Sequence, residues 1–273
     1  MKLEHARSLL FLPASNRRAI EKARGLACDM VILDLEDAVP DAQKDEARGA
    51  AIAALAEGFG DKLVAVRLNM AGTPWHAADA AALAGVALDY LVLPKVENAA
   101  QVEQVYRACG RPVIAMIETV KGVTEASAIA AVAGTAALFP GTNDLRTDLK
   151  IPAGSGRAGV TTALQMIVMA ARLHGKAVFD GVYNRLNDEE GFIAECREGH
   201  DFGFDGKTLI HPNQIAAANA IFGPTPEAVD AAYRLVAAAN GGAERFEGRM
   251  IEAMHVADAR ALIARAEACG AGR

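Results

Sequence analysis

The stretch VILDLEDAVP (31–40) passes from a solid apolar block straight into carboxylates. Val31, Ile32 and Leu33 read as the middle of a strand buried on both faces, because no polar residue interrupts them. Asp34, Glu36 and Asp37 follow without a spacer. Carboxylates set against such a strand carry a heavy desolvation cost unless they meet a cation or open onto solvent. The junction therefore predicts a buried strand whose C-terminal end opens into a polar mouth.

Working outward, the same reading recurs along the chain. SLLFLP (8–13), MVILDLE (30–36), LVAVRLN (63–69), YLVLPK (90–95), PVIAMIE (112–118), AALFPG (136–141), AVFDGVY (177–183) and DGKTLIHP (205–212) are short apolar runs. Helical patterns such as IEKARGLA, DEARGAAIAALAE and NAAQVEQVYRAC lie between them. Eight strand–helix alternations in the first 212 residues predict an α/β fold, a (β/α)8 TIM barrel over residues 1–223. A doubly wound open sheet would show a glycine-rich phosphate turn after its first strand, and LFLPASN is not one. The remainder, 224–273, reads as a helical extension. TPEAVDAAYRLVAAA is a helix with Thr225 as N-cap and Pro226 at its first position. Asn240, Gly241 and Gly242 break it, and RMIEAMHVADARALIARAEA (249–268) reads as a last helix.

The chain has 273 residues, 52% of them hydrophobic, and a net charge of −6. That charge gives no basis for nucleic-acid binding. No apolar run approaches the roughly 20 residues of a membrane span. Cys28, Cys109, Cys196 and Cys269 form no CxxC pair, which disfavours disulfides and structural zinc. A soluble cytoplasmic protein is the expectation.

Barrel enzymes carry their chemistry at the C-terminal ends of the strands. Read in order, those ends are Asp34, Glu36 and Asp37; Arg67 and Asn69; Lys95 and Glu97; Glu118; Asn143 and Asp144; Asp180; and His211. Carboxylates with few histidines nearby suit a hard, oxygen-loving cation. Glu118 and Asp144 end the adjacent fifth and sixth strands, so both could reach one Mg²⁺. Arg67 supplies a planar fork for a substrate carboxylate. Metal and arginine at one mouth predict an α-keto acid whose ketone a Lewis acid polarises. Lys95 invites a Schiff-base aldolase, against which stands an ion pair with Glu97 or Glu36. Arg17, Arg18 and Lys22, after the first strand, could bind CoA phosphates or form a solvated helix face. GSGRAG (154–159) lacks the context of a phosphate loop and reads as a mobile loop. His211 reads as a loop-fixing residue, and Trp75 as a rim contact.

RSLLFLPAS, DLEDAVPDAQKDEAR, VRLN, LPKVE, MIETVKGV, GTNDL, GFDGKTLIHPNQI and RMIEAM resemble, in order, the motifs of the citrate lyase beta subunit and malyl-CoA lyase family within the HpcH/HpaI aldolase superfamily. The resemblance runs from about residue 7 to 260. It implies a TIM barrel that cleaves or forms carbon–carbon bonds in 3-hydroxyacyl-CoA thioesters. It implies Mg²⁺ on Glu118 and Asp144, substrate carboxylate on Arg67, and Glu36 and Asp37 holding metal-bound water or neighbouring groups. It also implies an acid/base group from the tail of a neighbouring subunit, usually an aspartate in Met-Ile-Asp; here the position reads Met250, Ile251, Glu252. Ala14 stands where a glycine often follows the proline, Asn143 replaces a common glutamate, and TTALQM (161–166) replaces a common Tyr-Ala-Arg-Ser.

The resulting expectation is a Mg²⁺-dependent lyase of a short thioester such as malyl-, citramalyl- or citryl-CoA, giving an α-keto acid and acetyl-CoA. The alternatives are an aldolase of free α-keto acids and a partner-dependent citrate-lyase-type beta subunit. Met250, Ile251, Val256, Leu262 and Ile263 give the tail an apolar face that needs a surface to bury against. A homo-oligomer, a trimer or a multiple of it, is the expected answer.

Overall fold

The computed structural model describes residues 1–239 and 242–270. Eight parallel strands close into one barrel in chain order: β1 (Ser8–Pro13), β2 (Met30–Asp34), β3 (Leu63–Arg67), β4 (Tyr90–Leu93), β5 (Val113–Ile117), β6 (Thr135–Pro140), β7 (Ala177–Asp180) and β8 (Gly206–Leu209). β8 closes on β1 with Leu9 opposite Thr208. All eight expected strands are present. The helices packed around them are α1 (Arg17–Arg24), α2 (Lys44–Glu57), α3 (His76–Leu83), α4 (Ala99–Cys109), α5 (Val120–Thr124), α6 (Ala126–Ala131), α7 (Thr142–Asp148), α8 (Thr161–Leu173), α9 (Glu189–Asp201) and α10 (Ile215–Phe222).

Strand side chains alternate between two cores. Leu9, Met30, Ile32, Leu63, Ala65, Val92, Ile114, Phe139 and Phe179 fill the barrel interior. Leu10, Val31, Leu33, Val66, Leu91 and Leu138 point outward under the helices. Each such side chain contributes about 1.5–3 kcal/mol by leaving water, which is why both faces of the strands read as apolar. Two residues further along the inward rows stand Asp34, Arg67 and Met116, and Glu118 stands two beyond Met116. The interior row thus turns polar where it reaches the mouth.

The same alternation corrects one expectation. As a strand-end acid Asp180 is expected at the mouth, but Phe179 takes the inward position and Asp180 faces the helices. There it accepts hydrogen bonds from Lys207 Nζ at 2.7 Å and from Arg157 Nη2 at 2.5 Å. Lys207 also meets Glu195 at 2.8 Å, and both Asp180 and Lys207 are fully buried.

Beyond the barrel, α11 (Pro226–Ala238) begins as expected, with the Thr225 hydroxyl accepting from Ala228 N at 3.2 Å. Asn240 and Gly241 of the expected break lie outside the described residues. The last helix does not start at Arg249. Residues β9 (Glu244–Phe246) and β10 (Arg249–Ile251) form an antiparallel hairpin, and α12 runs from Ala253 to Ala268. The reason is the two-residue turn between the strands, Glu247 at φ 44° and Gly248 at φ 84°, which matches the twist of a tight hairpin. Ala232, Leu235, Ile251 and Ala259 give this extension a small core of its own. No helix among the described residues is long and apolar enough to cross a membrane.

Candidate active site

A cavity of about 290 Å³ opens at the C-terminal end of the barrel. Phe11, Asp34, Asp37, Arg67, Glu118 and Asp144 are among the residues that line it. Arg67 is its central cation. Its Nε and Nη2 donate to the two oxygens of Asp34, each at 2.6 Å, and its Nη1 lies 3.0 Å from Glu36 Oε2 and 3.4 Å from Asp37 Oδ2. The guanidinium also sits 5.1 Å from the Phe11 ring centroid. The carboxylates that follow the second strand therefore face Arg67. Its bidentate fork is spent on Asp34, so a substrate would have to meet Nη1, which Glu36 and Asp37 share.

Glu118 stands just past β5 and is 2% exposed. Its Oε1 accepts from the backbone N–H of Lys95 at 2.7 Å. The Lys95 ammonium reaches Asp144 Oδ2 at 2.6 Å and Glu36 Oε1 at 3.7 Å. Of the two ion pairs expected for Lys95, that with Glu36 is present. Glu97 pairs instead with Lys121 at 3.3 Å. The acid neighbours hold the Lys95 amine protonated well above its ordinary value, despite its partial burial. A protonated amine is no Schiff-base nucleophile.

Five carboxylates (Asp34, Glu36, Asp37, Glu118, Asp144) thus share two ion-paired cations, Arg67 and Lys95. The surplus shows in the protonation of two of them. Burial, opposed by Arg67, pushes Glu36 up to about 8, and burial, opposed by Lys95, pushes Glu118 up to about 7. Glu36 Oε2 is buried with no aligned hydrogen bond, although Arg67 Nη1 is close. Among the described residues no three His, Cys, Asp or Glu side chains converge as a ready metal cage. The donor set is two carboxylates, Glu118 and Asp144, beside a cavity, a set suited to a hard cation that keeps water and substrate oxygens.

Several contributors were not singled out in the sequence. Gly141 leaves room for Glu118, since a Cβ there would lie 2.3 Å from Glu118 Oε2. Lys44 donates to the carbonyls of Leu35 and Glu36 at 3.0 Å each, pinning the loop that carries the acids, and lies 5.2 Å from the Trp75 ring. Asn184 donates to Asn143 Oδ1 at 2.6 Å across the rim. Only the PG of FPGTND hinted at Gly141; contacts between distant loops leave no local trace. His211 fixes its own loop, with Nδ1 2.7 Å from Asn213 Oδ1. Arg17, Arg18 and Lys22 are exposed on or beside α1 and do not line the cavity. Arg17 shares a groove with Glu21, Glu46 and Glu57, but among the described residues neither it nor Lys22 makes an ion pair. Glu252 precedes α12, where its N–H donates to His255 Nδ1 at 3.0 Å; it does not line the cavity of its own barrel.

The family model described as HpcH/HpaI aldolase/citrate lyase matches residues 7–212. The chain belongs to the HpcH/HpaI aldolase/citrate lyase family. A second model, a C–C bond lyase of the TIM-barrel fold, matches residues 157–271. This family member is 42% identical over 275 residues to a (3S)-malyl-CoA thioesterase of Cereibacter sphaeroides, covering 98% of this chain and 96% of the relative. It is 34% identical over 256 residues to the citrate lyase subunit beta of Leuconostoc mesenteroides, covering 89% and 85%. Among solved structures it resembles the protein CitE from Mycobacterium tuberculosis in complex with magnesium, acetoacetate and coenzyme A. That match has a TM-score of 0.82 and 34% identity, and covers 97% of this chain and 100% of the other. The chain is an enzyme of the carbon–carbon lyase type.

Proposed function

We propose that this chain is a Mg²⁺-dependent lyase of a short 3-hydroxyacyl-CoA thioester of the malyl-, citramalyl- or citryl-CoA class. The observation that carries the reading is the excess of carboxylates over cations around the cavity, which protonation of Glu36 and Glu118 meets without metal and which a divalent cation would balance instead. Glu118 and Asp144 are the residues that would hold Mg²⁺, with Glu118 oriented by the Lys95 N–H. Bound there, Mg²⁺ supplies Lewis acidity to the keto-acid oxygens. Magnesium, acetoacetate and CoA together on the CitE relative support this choice of metal and substrate class.

The protein's own groups then divide the work. Arg67 Nη1 meets the substrate carboxylate, while Asp34 keeps the guanidinium fixed and charged. Glu36 and Asp37 hold water or the metal's neighbours at the same edge. Arg17 and Lys22 are the candidates for the CoA phosphates, Arg17 at the start of α1 near the mouth and Lys22 in its last turn. Glu252, brought by a neighbouring subunit, exchanges a proton with the acetyl carbon. Magnesium titration by calorimetry should show binding that Glu118→Gln and Asp144→Asn each weaken by about tenfold or more, roughly 1.4 kcal/mol. Unchanged affinity in both variants removes the metal site from the account.

One specific observation favours a second reading. The relatives at 40–42% identity over nearly the whole chain are named thioesterases. Hydrolysis needs the same carboxylate anchor but directs water to the thioester carbonyl. Product analysis separates the two. (3S)-Malyl-CoA with Mg²⁺ should yield glyoxylate and acetyl-CoA, with little free thiol. Malate with stoichiometric free CoA, and no glyoxylate, would establish hydrolysis instead.

A further inference from the structure

Lys95 is held unusually. It is one of three non-glycine residues at positive φ among the described residues, at 50°, a conformation that costs a lysine free energy unless its surroundings demand it. The bend puts two parts of one residue on two different carboxylates. Its backbone N–H is 2.7 Å from Glu118 Oε1, and its ammonium is 2.6 Å from Asp144 Oδ2. A third carboxylate oxygen, Glu36 Oε1, waits 3.7 Å from the same ammonium. The other oxygen of that group, Oε2, lacks an aligned hydrogen bond. The side chain is 29% exposed, so its flexible four-carbon stem has room to turn.

We infer that Lys95 is the internal cation of this site: its ammonium holds Asp144 until a divalent cation takes that place, and then passes to Glu36. The inference rests on Glu118 and Asp144 being the metal carboxylates. An ammonium in contact with Asp144 and a divalent ion on that carboxylate repel strongly at such range. Glu36 is the next carboxylate within reach of the ammonium, its Oε1 lying 3.7 Å away while its Oε2 is already held 3.0 Å from Arg67 Nη1. Lys95 is thus a positioning residue. It keeps the acids together without metal, sets how tightly metal binds, and transfers its charge toward Arg67 and Glu36 when metal arrives.

The test is Mg²⁺ titration by calorimetry on wild type, Lys95→Met and Lys95→Arg, with thermal melts in EDTA. Removing the competing ammonium should tighten Mg²⁺ binding by about tenfold. The same variant should melt lower than wild type in EDTA and recover with Mg²⁺. Lys95→Arg, which keeps the charge, should bind Mg²⁺ close to wild type. Should Lys95→Met fold poorly, Lys95→Gln carries the same expectation, because its amide can still bond Asp144. Equal or weaker Mg²⁺ affinity in the neutral variant overturns this inference alone. Absence of Mg²⁺ binding by the wild type overturns the metal reading along with it.

Discussion

Gly141 and Arg67 show how single residues set the site. Arg67 is a mouth residue whose main partner is another mouth residue, so much of its charge is spent on holding Asp34 in place. Residue type and strand-end position made Arg67 visible in the sequence, but not that Asp34 occupies its fork. That depends on β2 and β3 lying side by side with Asp34 opposite Arg67. Gly141 is the complementary case, a residue needed for what it lacks. A Cβ there would lie 2.3 Å from Glu118 Oε2 and 2.5 Å from Glu118 Cβ, and Glu118 is buried with little space to retreat. Gly141→Ala should therefore destabilise the protein by about 1–3 kcal/mol. It should also weaken Mg²⁺ binding by moving Glu118. Melting curves and calorimetry check both effects, and a variant with wild-type melting and wild-type Mg²⁺ affinity would contradict the packing argument.

At the scale of elements, the barrel was legible because parallel strands covered on both faces leave unbroken apolar runs. Strand ends were legible to within a few residues, which sufficed to place Glu118 and Asp144 at the mouth, where they line the cavity. Which way an end residue points was not, because one residue of register moves a side chain to the other face. Asp180 is the result: a strand-end acid that serves the wall between β7, β8 and α9. The hairpin of β9 and β10 escaped for another reason, since three-residue strands carry almost no periodicity. The Asp180 cluster makes a clear prediction. Lys207 and Arg157 hold the Asp180 carboxyl below its ordinary value despite full burial. A depressed carboxyl stabilises the fold above its unfolded value and loses that contribution as pH falls through the folded one. Asp180→Asn leaves Lys207 with only Glu195, and should cost about 3–5 kcal/mol near neutral pH. The gap between variant and wild type should shrink as pH falls below about 4, where Asp180 protonates even in the unfolded chain. Denaturant unfolding across pH measures it, and a gap independent of pH would remove Asp180 from the acid response.

At the scale of the whole molecule, the tail is anchored at one end and open at the other. Near its C-terminus, Arg265 donates to the Asp205 carbonyl and the Cys269 thiol lies 3.6 Å from the His5 carbonyl, both at the N-terminal end of the barrel. Glu252 stands at the opposite end of α12, roughly 24 Å away along a 16-residue helix. Met250 and Met254, each 62% exposed, flank it. Two exposed methionines on either side of an acid are costly on a free surface and well suited to a packed one. A second copy of the chain, offering a cavity mouth that its own tail does not line, fits that requirement. The expected assembly is a closed ring, a trimer or a multiple of it, in which each tail serves the next barrel. Mixing Arg67→Ala with Glu252→Gln subunits tests this directly. Each variant alone lacks one half of every site. After exchange at equal amounts, about a quarter of the sites in such a ring pair an intact Arg67 with an intact Glu252 from the neighbour, so about a quarter of wild-type activity should return. Subunit exchange is verified independently by mass-tagged subunits in native mass spectrometry. Full exchange with no recovery, or a monomer by sedimentation, would place Glu252 outside the reaction and leave the tail's methionines to another partner.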